Sequence, residues 1–169
     1  MTPNPPYSLE EVSGPSLLRR TFGCFPSGVA AVCAIADQVP VGLLVSSFTS
    51  VSLAPPLVSI CIMNGSERWP LLRDAARLGL SFLGDGQQHV CRQLAKPVEQ
   101  GLEGLDISAT PEGAVLLRDA AAWLDCSVHN EIEAGDHTIV LLRIEALHAR
   151  PTQAPLVFHN SKFHRLTAL

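Results

Sequence analysis

Positive charge is scarce in this chain: 12 Lys and Arg face 16 Asp and Glu, leaving a net charge of -4. That is the wrong sign for a phosphate-reading surface, so nucleic acid is not an expected partner. No apolar run approaches the roughly 18 residues that a membrane-crossing helix requires, and no membrane association is expected. There is no CxxC, and Cys24, Cys33, Cys61, Cys91 and Cys126 are scattered and odd in number. Zinc and iron–sulfur sites need closely spaced thiolates, so the cysteines, Cys61 and Cys91 among them, read as small buried hydrophobes in a reducing compartment. The six histidines form no HxH or HxxxH pair, and no metal site is expected. GxGxxG is missing too, which excludes the usual parallel-sheet dinucleotide cradle. The opening MTPNPPYSLEEVSGPS has no basic stretch leading into an apolar one; the reading is no signal peptide and a cytoplasmic protein.

What remains is an apolar chain of 169 residues, 47% hydrophobic. That length supports one domain with a sizeable core, and the apolar surplus points to a surface covered by a partner subunit. Residues 1–15 read as a flexible arm and 16–169 as the folded domain. Ser16 is placed to cap a short helix, LLRRTFG, ending at Gly23. Pro26 opens a strand through SGVAAVCAIAD, DQVP turns, and VGLLVSSF is a second strand. Pro55-Pro56 bars helix and central ladder pairing, and LVSICIM follows as an apolar strand.

SERWPLLRDAAR reads as a helix capped by Ser66 with Pro70 in its first turn. GLSFLG is a strand and GQQHVCRQLA a helix carrying Val90 and Leu94 on one face. Residues 96–113 look like a surface excursion. AAWLDCSVHNEI and TIVLLRIEALHA alternate cleanly, with Ala122, Leu124, Cys126 and Val128 on one side of the first and Val140, Leu142, Ile144 and Ala146 inward on the second, Arg143 and Glu145 outward. Gly135-Asp136-His137 joins them as a turn, with Asp136 bonded to its own backbone. PLVFH and KFHRL form a hairpin through Asn160-Ser161. Trp69 and Trp123 are expected in the core. Many short strands, few helices and no βαβ alternation favour a closed antiparallel barrel.

The segment of greatest chemical interest is Gly42 to Pro56, GLLVSSFTSVSLAPP, where five serines and threonines crowd residues 46–52 after an apolar strand. Hydroxyls and backbone N–H groups at a strand end suit a phosphate or the acceptor-rich edge of a heteroaromatic ring. A plain Ser/Thr-rich connection is the other reading.

Four stretches in order, FPSGVAAV (25–32), GLLVSSFTSVSLAPPLV (42–58), GDH (135–137) and PLVFHNSKFHRL (155–166), resemble the flavin reductase-like family. Its members are short-chain NAD(P)H:flavin oxidoreductases that supply reduced flavin to two-component monooxygenases. The likeness runs from about Leu17 to Leu166. It implies a mainly β, Greek-key split β-barrel of the FMN-binding type with two or three short peripheral helices, a homodimer, FMN or FAD as cofactor, and NADH or NADPH as reductant. Residue by residue, it implies flavin contacts at Pro26, Ser27, Gly28, Ser46, Ser47, Phe48, Thr49, Ser50, Ser52, Ser66 and Arg68, the last two near the phosphate or ribityl region. His137, Phe158, His159, Asn160 and Ser161 fall on the nicotinamide side. Hydride transfer between the two cofactors needs no catalytic base from the protein. Leu44, Glu67, Ser81 and Leu94 depart from the family pattern. A flavoenzyme of this fold with a specialised organic substrate, or a non-catalytic flavin-binding partner protein, are the alternative readings.

Overall fold

Residues 9–167 are described by the computed structural model of the chain. In chain order the elements are α1 (Pro15–Gly23), β1 (Ser27–Gly28), β2 (Ala30–Ala36), β3 (Val39–Val45), β4 (Thr49–Leu53) and β5 (Pro56–Met63). Then come α2 (Trp69–Leu72), β6 (Leu78–Phe82), α3 (Gln88–Leu94), β7 (Ile107–Ala109) and β8 (Val115–Leu117). Two long strands follow, β9 (Ala122–Ala134) and β10 (His137–Ala149), and a final hairpin, β11 (Leu156–His159) and β12 (Lys162–Arg165).

Seven strands form one antiparallel sheet in the order β3-β2-β6-β9-β10-β5-β4. Its two edge strands, β3 and β4, are neighbours in sequence, joined only by Ser46, Ser47 and Phe48. Six interstrand spacings would set the edges of a flat sheet about 29 Å apart. Four peptide steps from Val45 to Thr49 reach at most about 14 Å. The sheet therefore has to curl until its edges meet. No ladder joins β3 to β4, so the barrel is split along this seam, as the family likeness implies, and not closed as the strand pattern alone favours. Alternating directions across seven antiparallel strands leave β3 and β4 pointing the same way, and parallel neighbours need a crossover far longer than three residues, so hydrogen bonding does not close the seam.

The curled face encloses the main core, in which Val32, Ile60, Leu80, Cys126, Val140 and Leu142 are buried. A second core lies outside β2, where Ala31 and Cys33 meet Val90, Cys91 and Leu94 of α3 and Val115 and Leu117 of β8. Burial on both faces explains why β2 reads AAVCAIA with no polar alternation. Small side chains there let the outer layer approach. The closest approach is at Gly79 of β6: an added Cβ would stand 2.1 Å from the Val115 carbonyl oxygen. Next to it the buried Ser81 hydroxyl accepts the Leu117 N–H at 3.0 Å, tying β8 to the sheet.

Several expectations are corrected. Ser16 caps nothing: Gly14 is the N-cap and Pro15 the first helical residue, since proline at that position loses no bond. Ser66 does accept the Trp69 N–H at 3.2 Å, but the helix after it is a single turn. The strand read from Pro26 breaks at Val29, because Ser27 and Gly28 pair with β11 and Ala30 onward with β3 and β6. The 96–113 excursion is partly folded, with Leu102 buried and β7 paired to an unforeseen β8. His137 belongs to β10, and the turn is Gly135-Asp136 alone, with Gly135 at φ 68°. Cys24 is exposed and Cys61 half-buried on the outer side of β5. Of the arm, residues 1–8 lie outside the described residues, and Leu9 to Gly14 have no regular structure.

Gly79→Ala is expected to destabilise the fold by about 3 kcal/mol, the upper range for overpacking, because backbone on both sides must separate. Gly28→Ala, where a Cβ meets nothing within 4 Å, is expected to be near neutral. Denaturant melts of the two variants compare them directly.

Candidate functional site

The seam builds the site. Thr49 pairs with Ser59 on β5, so the same register carried two residues back sets Ser47 against Cys61. There the Ser47 hydroxyl replaces a strand partner: it accepts the Cys61 N–H at 2.8 Å and donates to the Cys61 carbonyl at 3.2 Å. This double bond to one residue of β5 fixes the connector, leaving Ser46 exposed on one side and Phe48 half-buried on the other.

Above the connector opens a cleft of about 530 Å³. Phe25, Pro26, Ser27 and Gly28 form one side, and Val29 and Ala30 continue it. Ser46 to Thr49 form the facing side, with Phe82 and Leu83 from the end of β6 and Pro155 and Leu156 from the start of β11. The C-terminal hairpin is held there by pairing of β11 with β1, Ser27 opposite Phe158 and Gly28 opposite Val157. A further bond from the Asn160 N–H to the Gly23 carbonyl at 3.0 Å anchors its turn.

Seven of the residues expected at the cofactor are thus brought together: Pro26, Ser27, Gly28, Ser46, Ser47, Phe48 and Thr49. The rest lie elsewhere. Ser50 and Ser52 flank a bulge on edge strand β4, where the Ser52 hydroxyl accepts the Ala54 N–H at 3.2 Å. Arg68 donates to the Gly42 carbonyl at 2.6 Å and to the Lys96 carbonyl, spanning β3 and the segment after α3. Ser66 borders a separate depression with Trp69, Arg73 and Glu131. His137 is separated from Ser47 by β5, and its Nδ1 lies 2.7 Å from Asp136 Oδ1. That bond, more than any other interaction, holds the Asp136 carboxyl below its ordinary range. Phe158 packs on Phe163 beside the cleft wall, His159 is half-buried, and Asn160 and Ser161 form the exposed end of the hairpin.

Sequence reasoning missed Phe25, Phe82, Leu83, Pro155 and Leu156 as lining residues. Phe25 and Pro155 stand inside motifs already singled out, whereas Phe82 and Leu83 carried only a strand signal. Phe82 meets Phe48 edge to face, centroids 4.6 Å apart, so one wall is aromatic and the rim is hydroxylic. None of the described lining residues is charged, and among the described residues no group of side chains could hold a metal ion. The arrangement suits a flat, neutral, polar-edged ring and not acid–base chemistry. No cysteine is among the described lining residues; in the two cores, burial pushes the Cys33 and Cys126 thiols up to about 12 and Cys91 to about 11, leaving them protonated at neutral pH. A smaller depression beyond the Gly84–Pro155 bridge is walled by Asp85, Asp106 and Asp119, each carboxylate paired with an arginine.

Residues 22–167 match the flavin reductase like domain. The chain belongs to the flavin reductase-like family. It is 39% identical over 137 residues to a probable flavin reductase of Rhizobium meliloti, covering 80% of this chain and 44% of that protein. A second relative from that organism is covered to 60% of its length, so the chain spans about half the length of these two curated relatives. The flavin-dependent monooxygenase reductase subunit of Rhodococcus jostii is 29% identical, over 90% of this chain and 78% of that protein. Among solved structures, the NADH:FAD oxidoreductase of Streptomyces globisporus in complex with NAD and FAD fragments superposes with a TM-score of 0.87. It is 33% identical, covering 95% of this chain and 98% of that one. The split barrel is the fold shared with that reductase.

The two Cys61 bonds make Ser47 the clamp of the connector, while Ser46 stays exposed. Ser47→Ala is expected to cost about 1–3 kcal/mol, since it strands a half-buried N–H, while Ser46→Ala leaves the melting temperature unchanged. Paired thermal melts check both.

Proposed function

We propose that this protein is an NAD(P)H:flavin oxidoreductase that binds FMN or FAD in the seam cleft and passes reduced flavin to a partner monooxygenase. The observation that carries the reading is the cleft itself: an uncharged, aromatic-walled and hydroxyl-rimmed slot built from three stretches that carry the family likeness. The flavin-site residues in this reading are Pro26, Ser27 and Gly28 on one side and Ser46 to Thr49 on the other. Gly28 leaves room for close approach, since no protein atom lies within 4 Å of where its side chain would begin. The Ser46 hydroxyl and backbone amides of the connector offer donors to acceptor atoms on a ring edge, and preorganised donors of that kind stabilise charge that develops on reduction. Phe48 and Phe82 keep water from that face. A bound flavin supplies the redox chemistry, taking up hydride from the nicotinamide. The protein's task is to stack and orient.

The Rhodococcus jostii relative, a monooxygenase reductase subunit by name, supports a monooxygenase as partner. A reducing, cytoplasmic setting agrees with five free cysteines. No helix of the described residues is long and apolar enough to cross a membrane. NADH or NADPH oxidation measured with and without added FMN or FAD tests the proposal. Flavin-dependent consumption is the expected result, and nicotinamide oxidation indifferent to flavin would exclude it.

The reading includes a homodimer. Leu53 is 96% exposed on edge strand β4, and Val51, Met63 and Leu147 are also uncovered, an apolar surface that a second subunit would bury. His137 does not line the cleft of its own chain, so its nicotinamide-side role requires that second subunit. His137→Ala is then expected to raise the KM for NADH roughly threefold to tenfold, the worth of one hydrogen bond, with flavin affinity unchanged. Sedimentation at the monomer mass of 18.1 kDa, or unaltered NADH kinetics, removes His137 from the site.

A further inference from the structure

We infer that Phe82 is a specificity-determining residue of the cleft: paired with Phe48, it makes the site select its ligand by the ring system and not by the phosphate-bearing tail. Riboflavin, FMN and FAD are then bound alike. This rests on the flavin reading above and deepens it.

The inner face of β6 carries Leu78 and Leu80, both fully buried in the main core. Strand alternation puts Phe82 next on that same face, where the split ends the enclosure and the side chain is only half-buried. Its neighbour on β2 is Ala30 and on β9 Ala122, both small, so the ring has lateral room and meets Phe48 edge to face at 4.6 Å. The cleft floor is thus the place where the barrel's apolar core reaches the surface, finished by two phenyl rings. Such a pair gives an incoming flat ring aromatic contact beyond simple area burial.

The polar complement points the same way. The lining that this chain supplies offers the Ser27, Ser46 and Thr49 hydroxyls, Ser47 being engaged by Cys61, but no cation among the described residues. Arg68, the cation expected near a phosphate, is engaged by the Gly42 and Lys96 carbonyls. A phosphate held by arginine forks would make binding strongly selective for the phosphorylated forms. Here the lining groups suit the ring that all three flavins share.

The test is equilibrium titration of the whole protein with riboflavin, FMN and FAD, repeated over a roughly tenfold range of ionic strength, for the wild type and for Phe82→Leu and Phe82→Tyr. The expected result is riboflavin affinity within about threefold of the other two, with little salt dependence. Phe82→Leu should weaken all three flavins by one common factor, roughly fivefold to tenfold, and Phe82→Tyr, which keeps the ring, should restore binding. A merely structural role for Phe82 would lower the melting temperature without that shared factor. A preference for FMN or FAD above about tenfold that fades with salt, or a folded Phe82→Leu protein with unchanged affinities, overturns the inference. Should Phe82→Leu fail to fold, Phe48→Leu removes the other ring, and the wild-type comparison still decides. A wild type that binds none of the three overturns the flavin reading itself, a result distinct from all of these.

Discussion

Three residues hold the architecture in tension. Because Ser46, Ser47 and Phe48 are all that link the opposite edges of a seven-stranded sheet, curvature is imposed covalently and not merely favoured by twist. A seam is unavoidable where the edges meet without a ladder. Ser47 closes the seam chemically by giving Cys61 both of the bonds that a strand partner would. The gap that remains on the other side of the connector is the cleft. Fold and site are therefore two results of a single length constraint.

The same economy governs the layers outside the barrel. β2 and β6 are covered on both faces, so their sequences are built from alanine, glycine, cysteine and serine where the outer layer presses in. A larger residue at Gly79 would lift β8, and with it the ring of Trp123, whose Nε1 donates to the Leu117 carbonyl at 2.6 Å. Buried polar atoms there are satisfied across layers, as Ser81 to Leu117 and Gln87 to Gly84 and Arg118 illustrate. Unmade bonds at such positions would cost more than made ones contribute.

Much of this was legible beforehand. Period-two alternation located β9 and β10 and their inward residues as far as Ile144, but the register shift before Ala146 leaves that residue exposed and not inward; turn chemistry located the Asn160-Ser161 hairpin, where both residues take positive φ. The family likeness brought out the connector and its hydroxyls. What escaped reading has a common physical cause: it depends on contacts between segments far apart in sequence. β8 has too few residues to show a period, and exists because Gly79 admits it. Phe82 looked like any apolar strand residue, since only the position of the seam decides that its ring is half-uncovered. Arg68 matched a phosphate-binding position in the motif, yet the carbonyls that engage it come from residues 42 and 96. Likewise Ser47 was expected to face a ligand, and the register of β5 turns its hydroxyl toward Cys61.

The seven-stranded sheet is complete in sequence at Ala149, whereas Pro155 and Leu156, which wall the cleft, belong to the hairpin that follows. During synthesis the barrel's strands all leave the ribosome before the site has its last side. The cleft is thereby completed only after the last strand of the barrel has been made, and a polypeptide cut short before residue 155 would carry every strand of the sheet while lacking one wall of the cleft.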